Sequence, residues 1–246
     1  MPQGDVEFMR VEFLSLEGRY GEAEMQKTRS QFEEELQRLR DRLLKMADNV
    51  DGMLDDALTA MTQQDETLAK RVVQFDDLID RLDVEIETQC LRLIALQQPV
   101  ARDLRLIGTS MKIIADLERT GDLAVDIAKM GRRLSKRGVR YRPLVDLPLL
   151  GEMARKMLVD AMGAFSRHDL ELAQAVISGD AAVNNLYHYQ RDHLTVLMER
   201  EPDTVALAVP QLFTAKYLER VGDHAVNIAR RVYYVETGDI LDVSRE

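Results

Sequence analysis

The sequence predicts an all-α protein built as two tandem, sequence-related antiparallel three-helix bundles, and three observations carry that prediction. Glycine and proline, the residues that interrupt helices, number only 13 and 6 in 246 residues. Between the breaks, apolar residues recur every three or four positions, the spacing of one buried helix face. The third observation is a phrase that occurs twice, as Asp116-Leu-Glu-Arg-Thr-Gly-Asp-Leu-Ala-Val-Asp-Ile-Ala128 and as Tyr217-Leu-Glu-Arg-Val-Gly-Asp-His-Ala-Val-Asn-Ile-Ala229. Repetition at this distance marks a duplicated unit.

The duplication reaches further upstream. Met53-Leu-x-Asp-Ala-x-x-Ala60 is echoed by Met157-Leu-x-Asp-Ala-x-x-Ala164, and Asp65, Val72, Asp76 and Leu82 find counterparts in Asp169, Val176, Asp180 and Leu186. These matches keep an offset of 104, whereas the later phrase is offset by 101, so three residues are lost between the two blocks of the second copy. The expected organisation is a loose extension at 1–25, a first bundle at 26–137, a linker at 138–148, a second bundle at 149–236 and a tail at 237–246.

The elements follow in order. Ser30 reads as an N-cap with Glu33 completing a capping box, opening a helix whose apolar face runs through Leu36, Leu39, Leu43, Met46, Val50, Met53, Ala57 and Met61. A second helix starts near Asp65, carries Leu68, Val72, Phe75, Ile79, Leu82, Ile86, Cys90 and Leu93, and ends before Pro99. A third carries Leu104, Ile107, Met111 and Ile114 on to about Leu134. Breaks fall at Gly138 and Pro143 to Pro148, after which three more helices repeat the scheme to about Val235. Pro202 breaks the second copy where Pro99 breaks the first. Pro210 falls inside the last helix and predicts a kink or a delayed start there.

Composition excludes several classes of function. No apolar run reaches the roughly 18 residues of a membrane-spanning helix, and residues 2–29 lack the basic-then-apolar pattern of a secretory signal. A single cysteine, Cys90, rules out an internal disulfide and fits a reducing cytoplasm. A net charge of −10 argues against non-specific nucleic-acid binding. The local exception is the basic run Lys129 to Arg142. It reads either as a helix C-terminus complementing its dipole before a solvated linker, or as a docking patch for an acidic partner or an anionic membrane surface.

The acids of the repeated phrase are its chemical part. At 100° per residue from Leu104, Glu118 and Asp122 fall in the same arc as Ile107, Met111 and Ile114, with Asp126 at the edge. In the second copy Glu219 and Asp223 continue the line of Val205, Ala208, Leu212 and Ala215, with Asn227 at the edge. Four-residue spacing separates successive carboxylates by about 6 Å along the axis. Asp76, Asp80 and Asp83 line the margin of the second helix's apolar face, and Asp180 and Asn184 take the places of Asp76 and Asp80. Arg119 and Arg220 are adjacent in sequence but point off the stripe, so the acids need another cation. All-oxygen groups of this kind suit hard or borderline cations, Mg²⁺, Mn²⁺ or iron among them.

Blander readings compete: a solvated acidic face, or buried ion pairs with Arg105 or Lys112. Gly121 and Gly222 predict close approach of a helix or ligand, or plain packing. No P-loop, dinucleotide fingerprint, His-Glu-x-x-His or cysteine pair is present. The four histidines, His168, His188, His193 and His224, read as surface or interface residues. The absence of Glu-x-x-His argues against ferritin-like di-iron oxidase chemistry. A carboxylate-bridged metalloenzyme or metal-storage bundle is one reading of such acids.

With the repeated L-E-R-x-G-D-x-A-x-x-I-A, Gln98-Pro-Val-Ala-Arg-Asp-Leu-Arg105 before the third helix and Phe32-Glu-Glu-Glu-Leu-x-x-Leu-Arg40 in the first, residues 29–235 resemble the PhoU family. The resemblance implies two related three-helix bundles, a homodimer, and multinuclear metal clusters of Fe, Mn, Mg or Zn. The matching positions are Asp76, Asp80, Glu118 and Asp122 in the first half, with Asp126 beside them, and Asp180, Glu219 and Asp223 in the second. It also implies no catalytic residues and a cytoplasmic negative regulator of phosphate uptake and starvation signalling. Its partners would be the ATPase subunit of the phosphate ABC transporter and a sensor histidine kinase, without nucleic acid or membrane insertion. Asn184 and Asn227 depart from an all-acid pattern, so the first half should hold metal at least as tightly as the second.

Overall fold

The computed structural model describes the backbone of residues 4–239 and the side chains of residues 29–239. The first three residues of the expected extension and most of the expected tail lie outside the described residues. Six helices follow one another: α1 (Gly4–Gln63), α2 (Glu66–Gln97), α3 (Ala101–Lys136), α4 (Leu147–Arg167), α5 (Leu170–Arg200) and α6 (Val205–Thr237), with a 3₁₀ turn at Pro202–Thr204. No strand occurs among the described residues. The chain divides into two compact units, Met1–Arg40 and Asp41–Glu246. The first is helical, with exposed i,i+4 pairs at Arg29–Glu33 and Arg38–Glu34, each 3.2 Å.

The helix start expected at Ser30 is not observed, because α1 continues through it from Gly4. The stretch upstream is rich in Glu, Gln, Met, Arg and Lys, all good helix formers, and a helix glycine costs only about 1 kcal/mol. Nothing there is strong enough to stop the helix.

In the second unit both halves are three-helix bundles whose turns are copies of each other. Gln64 and His168 each adopt a left-handed conformation, φ 57°. The next residue in each case is an aspartate N-cap: Asp65 accepts from the Thr67 and Leu68 amides and Asp169 from that of Leu172, at 2.9 Å. Each cap satisfies helix-end N–H groups that have no intrahelical partner. The missing residues of the second copy are largely absorbed in its last turn. Gln98, Pro99 and Val100 separate α2 from α3, whereas Glu201 alone separates α5 from the 3₁₀ turn. Pro210 does not delay α6, which begins five residues before it.

α1 packs antiparallel on α2, where Arg42 bonds Glu85 and, at 3.0 Å, Gln89. It meets α3 at Gly131, where an added Cβ would come within 2.7 Å of the Met61 Cα and 2.9 Å of the Ala60 carbonyl oxygen. That spacing is too short for any side chain, so glycine is required there. The halves join through α3 and α6, which run antiparallel. Arg102 holds Glu236 at 2.7 Å, Arg105 donates to the Val235 carbonyl at 3.2 Å, and Asp116 accepts from His224 at 2.9 Å. The core is continuous from Leu43, Met46, Val50 and Met61 through Ile79, Ile107, Ile114 and Leu117 to Leu158, Leu218 and Ile228, all buried. Cys90 is among these buried residues, and burial pushes its thiol up to about 12, leaving it a small apolar core group.

Candidate functional site

Two acidic seams lie at equivalent places, one between α2 and α3 and one between α5 and α6. In the first, the glycine of the repeated phrase sits under the aspartate of the neighbouring helix. A Cβ built on Gly121 would lie 3.5 Å from Asp76 Oδ1 and from Ile79. In the second, a Cβ on Gly222 would lie 3.6 Å from Asp180 Oδ1 and 3.5 Å from Val183. These are ordinary van der Waals contacts, so the glycines accommodate the seam without being forced by it.

The electrostatics show which acids share each seam. Burial raises the Asp76 carboxyl from its ordinary 3.8 to about 6, with the charges of Asp80, Asp122 and Asp77 adding to the rise and Lys129 opposing it. Glu118 is also raised, first by burial, then by Asp122, with Asp83 and Asp80 contributing and Arg119 opposing. Burial, Glu87 and Asp80 raise Asp83. The first seam therefore gathers Asp76, Asp80, Glu118 and Asp122, and adds Asp83, which sequence placed on the margin of its helix face. Asp126 is not among the charges that act on these raised carboxyls. It pairs with Lys129 at 3.3 Å and acts on Tyr217 of α6, on the side facing the other half.

The second seam gathers Asp180, Asn184, Glu219 and Asp223. Burial and Glu219 raise Asp180, while a hydrogen bond from Asn184 Nδ2, 2.8 Å, lowers it. Asp223 is raised by partial desolvation, Glu219 and Asp180, against the charges of Lys216 and His224. Glu219 is buried, 8% exposed, and held by Lys216 at 2.5 Å. Asp180 Oδ1 and Asn184 Oδ1 are buried and accept no hydrogen bond. A buried acceptor without a donor is costly and rare. These two belong to residues joined by a hydrogen bond, beside the raised Asp223 carboxyl, and oxygen donors of this kind suit a hard cation.

The arginine expected to stand clear of the stripe does not. Arg119 reaches Asp122 at 3.1 Å and Glu118 at 3.4 Å, because a long side chain spans a helical turn even when its Cβ points elsewhere. Arg105 serves the Val235 carbonyl instead. With Arg119 and Lys216 drawn onto the acids, no three Asp, Glu, His or Cys among the described residues converge as a ready metal cage.

Sequence reasoning missed the partners of Asp116, which takes hydrogen bonds from His224 at 2.9 Å and Asn227 at 3.3 Å across the α3–α6 contact. His224 is thus an interface residue, as expected of it. His168 pairs with Glu236 at 2.7 Å, and His188 and His193 lie against Tyr187 and Tyr189. None of the four hydrogen-bonds an acid of a seam among the described residues, although His224 acts on Asp223 by its charge.

A duplicated helical bundle with one acidic seam per copy is the class that this fold and site define. The family model for the PhoU domain matches twice, at residues 43–130 and 147–232, and the chain belongs to the PhoU family. It is 37% identical over 219 residues to a phosphate-specific transport system accessory protein PhoU homolog of Clostridium acetobutylicum, covering 88% of this chain and 99% of that one. The accessory protein PhoU of Escherichia coli K12 is 37% identical over 85% of this chain and 86% of its own length. The crystal structure of PhoU from Pseudomonas aeruginosa superposes with a TM-score of 0.80 at 35% identity, covering 85% of this chain and 100% of that one. The phosphate transport system regulatory protein PhoU of Streptococcus pneumoniae gives the same TM-score at 29% identity, over 86% of this chain and 100% of its own.

Proposed function

We propose that this chain is a metal-binding, non-enzymatic regulator of phosphate uptake and phosphate-starvation signalling. It acts in the cytoplasm as a homodimer, links the ATPase of the phosphate ABC transporter to a sensor histidine kinase, and keeps starvation genes off when phosphate is plentiful. The phosphate role rests on the relatives' descriptions as accessory or regulatory proteins of phosphate transport. The metal role rests on one observation above the rest: the orphaned, buried oxygens of Asp180 and Asn184 beside the raised carboxyls of the second seam.

Asp76, Asp80, Glu118 and Asp122 would hold cations in the first half, and Asp180, Glu219 and Asp223 with the Asn184 amide oxygen in the second. Iron, manganese, magnesium or zinc bound there would supply the positive charge that an acidic seam needs. The chain's own part is to hold the carboxylates at neighbouring helix positions. Arg119 and Lys216 supply part of the positive charge themselves, and acids engaged by a cation would leave these two side chains without their ion pairs, so metal content and partner-facing charge would change together.

The test is genetic and biochemical. Loss of the chain should leave a starvation-gene reporter on in phosphate-rich medium, and the purified protein should retain the transporter ATPase or the sensor kinase. An unchanged reporter together with no retention of either would overturn the regulatory reading. Turnover or oxygen consumption by the metal-loaded protein would favour the metalloenzyme instead.

A further inference from the structure

The run from Lys129 to Arg142 carries seven cations and no acid, so the remaining residues bear −17 against a chain total of −10. Lys129 is paired with Asp126. The other six, Arg132, Arg133, Lys136, Arg137, Arg140 and Arg142, form no ion pair among the described residues. Arg133 lies 3.6 Å from the Met130 sulfur and acts on Tyr217 by its charge, and Arg132 Nε is buried without a hydrogen-bond partner among the described residues. A helix C-terminus favours basic residues only within its last turn, which accounts for Arg133 and Lys136 but not for Arg140 and Arg142 beyond the helix.

The segment after α3 is largely exposed, as expected of a linker, but its backbone is fastened. Gly138, φ 64°, closes the helix, and three glutamines then fasten the chain. Gln64 donates to the Val139 carbonyl at 2.7 Å and accepts from the Tyr141 amide at 2.8 Å. Gln211, fully buried, donates to the Arg142 carbonyl at 3.0 Å and accepts from the Leu144 amide at 2.9 Å. Gln190 donates to the Asp146 carbonyl at 2.8 Å. Exposure alternates along this strap, with Val139 and Tyr141 turned partly inward and Arg140 and Arg142 outward. Arg140 and Arg142 are therefore exposed on a strap whose backbone is held in place, and they follow closely in sequence on the exposed Arg133, Lys136 and Arg137 of the helix end. Exposed Pro143, Pro148 and Leu149 lie next to them in sequence.

We propose that this strap and helix end form a peripheral docking surface for an anionic phospholipid membrane. The cations are spread along a helix end and an extended strap and not gathered into a pocket, which suits laterally mobile headgroups better than a single bound phosphate. The exposed apolar groups beside them suit the interfacial layer. The strongly acidic remainder of the chain would be repelled by the same surface, which fixes the orientation. No described helix is long and apolar enough to cross a membrane, so attachment would be from the surface only.

The experiment is co-sedimentation of the full-length protein with vesicles of phosphatidylcholine alone and of phosphatidylcholine with phosphatidylglycerol. Binding is expected only to the anionic vesicles, and should weaken from 50 to 300 mM salt as the Debye length falls below about 10 Å. The triple variant Arg133→Glu, Arg137→Glu, Arg140→Glu should bind more than tenfold more weakly. Lys45→Glu, Lys70→Glu, Arg92→Glu, an equal charge change on other exposed positions, should stay within about twofold, with both variants folded by circular dichroism. Absent binding of the wild type to anionic vesicles, or equal loss in both variants, would overturn the proposal. So would retention on an acidic polypeptide or on duplex DNA with no retention on vesicles.

Discussion

The two seams are copies that have diverged in opposite directions. The first keeps an acid at all four shared positions and adds Asp83, and its carboxylates stand partly in water with Arg119 between Glu118 and Asp122. In the second, an amide replaces one acid, Glu219 is buried on Lys216, and two oxygens are stranded without donors. Charge is greater in the first and desolvation greater in the second. Because cation affinity depends on both ligand charge and site rigidity, the two halves should differ in how firmly they hold metal and in what happens when it leaves.

The largest expected effect breaks the comparison outright. Glu118→Ala with Asp122→Ala should remove the first half's metal and leave the second's, halving the content by elemental analysis; full retention would refute the site. Next, Gly131→Ala should destabilise the protein by roughly 1–3 kcal/mol through overpacking against α1, measured by denaturant unfolding, and a neutral result would contradict the close approach. Asn184→Asp should sharpen the comparison, raising metal retention of the second half about tenfold by adding a carboxylate while lowering metal-free stability through loss of the Asp180 hydrogen bond.

A smaller effect is pH-dependent. Asp76 binds its proton more tightly folded than unfolded, with a folded value of about 6 against 3.8. The stability this gives is fully present below pH 3.8 and is lost as pH rises through about 6. Asp76→Asn mimics the protonated form, so in metal-free protein it should raise Tm at pH 7, and the gain should fade as pH drops below 4. A gain that grows on acidification would contradict the raised carboxyl. The smallest change is Gly121→Ala. Its Cβ meets only ordinary contacts, so replacing a helix glycine should stabilise by roughly 0.5–1 kcal/mol.

What the sequence made legible was whatever the duplication repeated. Asp65 and Asp169 cap equivalent helices, Pro99 and Pro202 mark equivalent breaks, and Gly121 and Gly222 mark equivalent seams, because local chemistry recurs wherever the same turn must form. The misreadings have local causes as well. Ser30 and Glu33 are the right residue types for a cap but nothing upstream ends the helix, and the Cβ direction of Arg119 does not reveal how far its guanidinium reaches. The contacts between elements left no periodic trace. Gly131 has Val232 as its counterpart at the phrase's offset, so the repeat could not flag it. The pairing of Asp116 with His224, and the glutamines that fasten the strap, depend on which helices touch.

Anomalous scattering from crystals of the protein, collected across the manganese, iron and zinc edges, tests the central claim most directly. Metal peaks are expected at both seams, with Glu118 and Asp122 turned from Arg119, and Glu219 from Lys216, onto the cations. Crystals grown with these metals that show no peak at either seam, with Arg119 and Lys216 still on the acids, would contradict it.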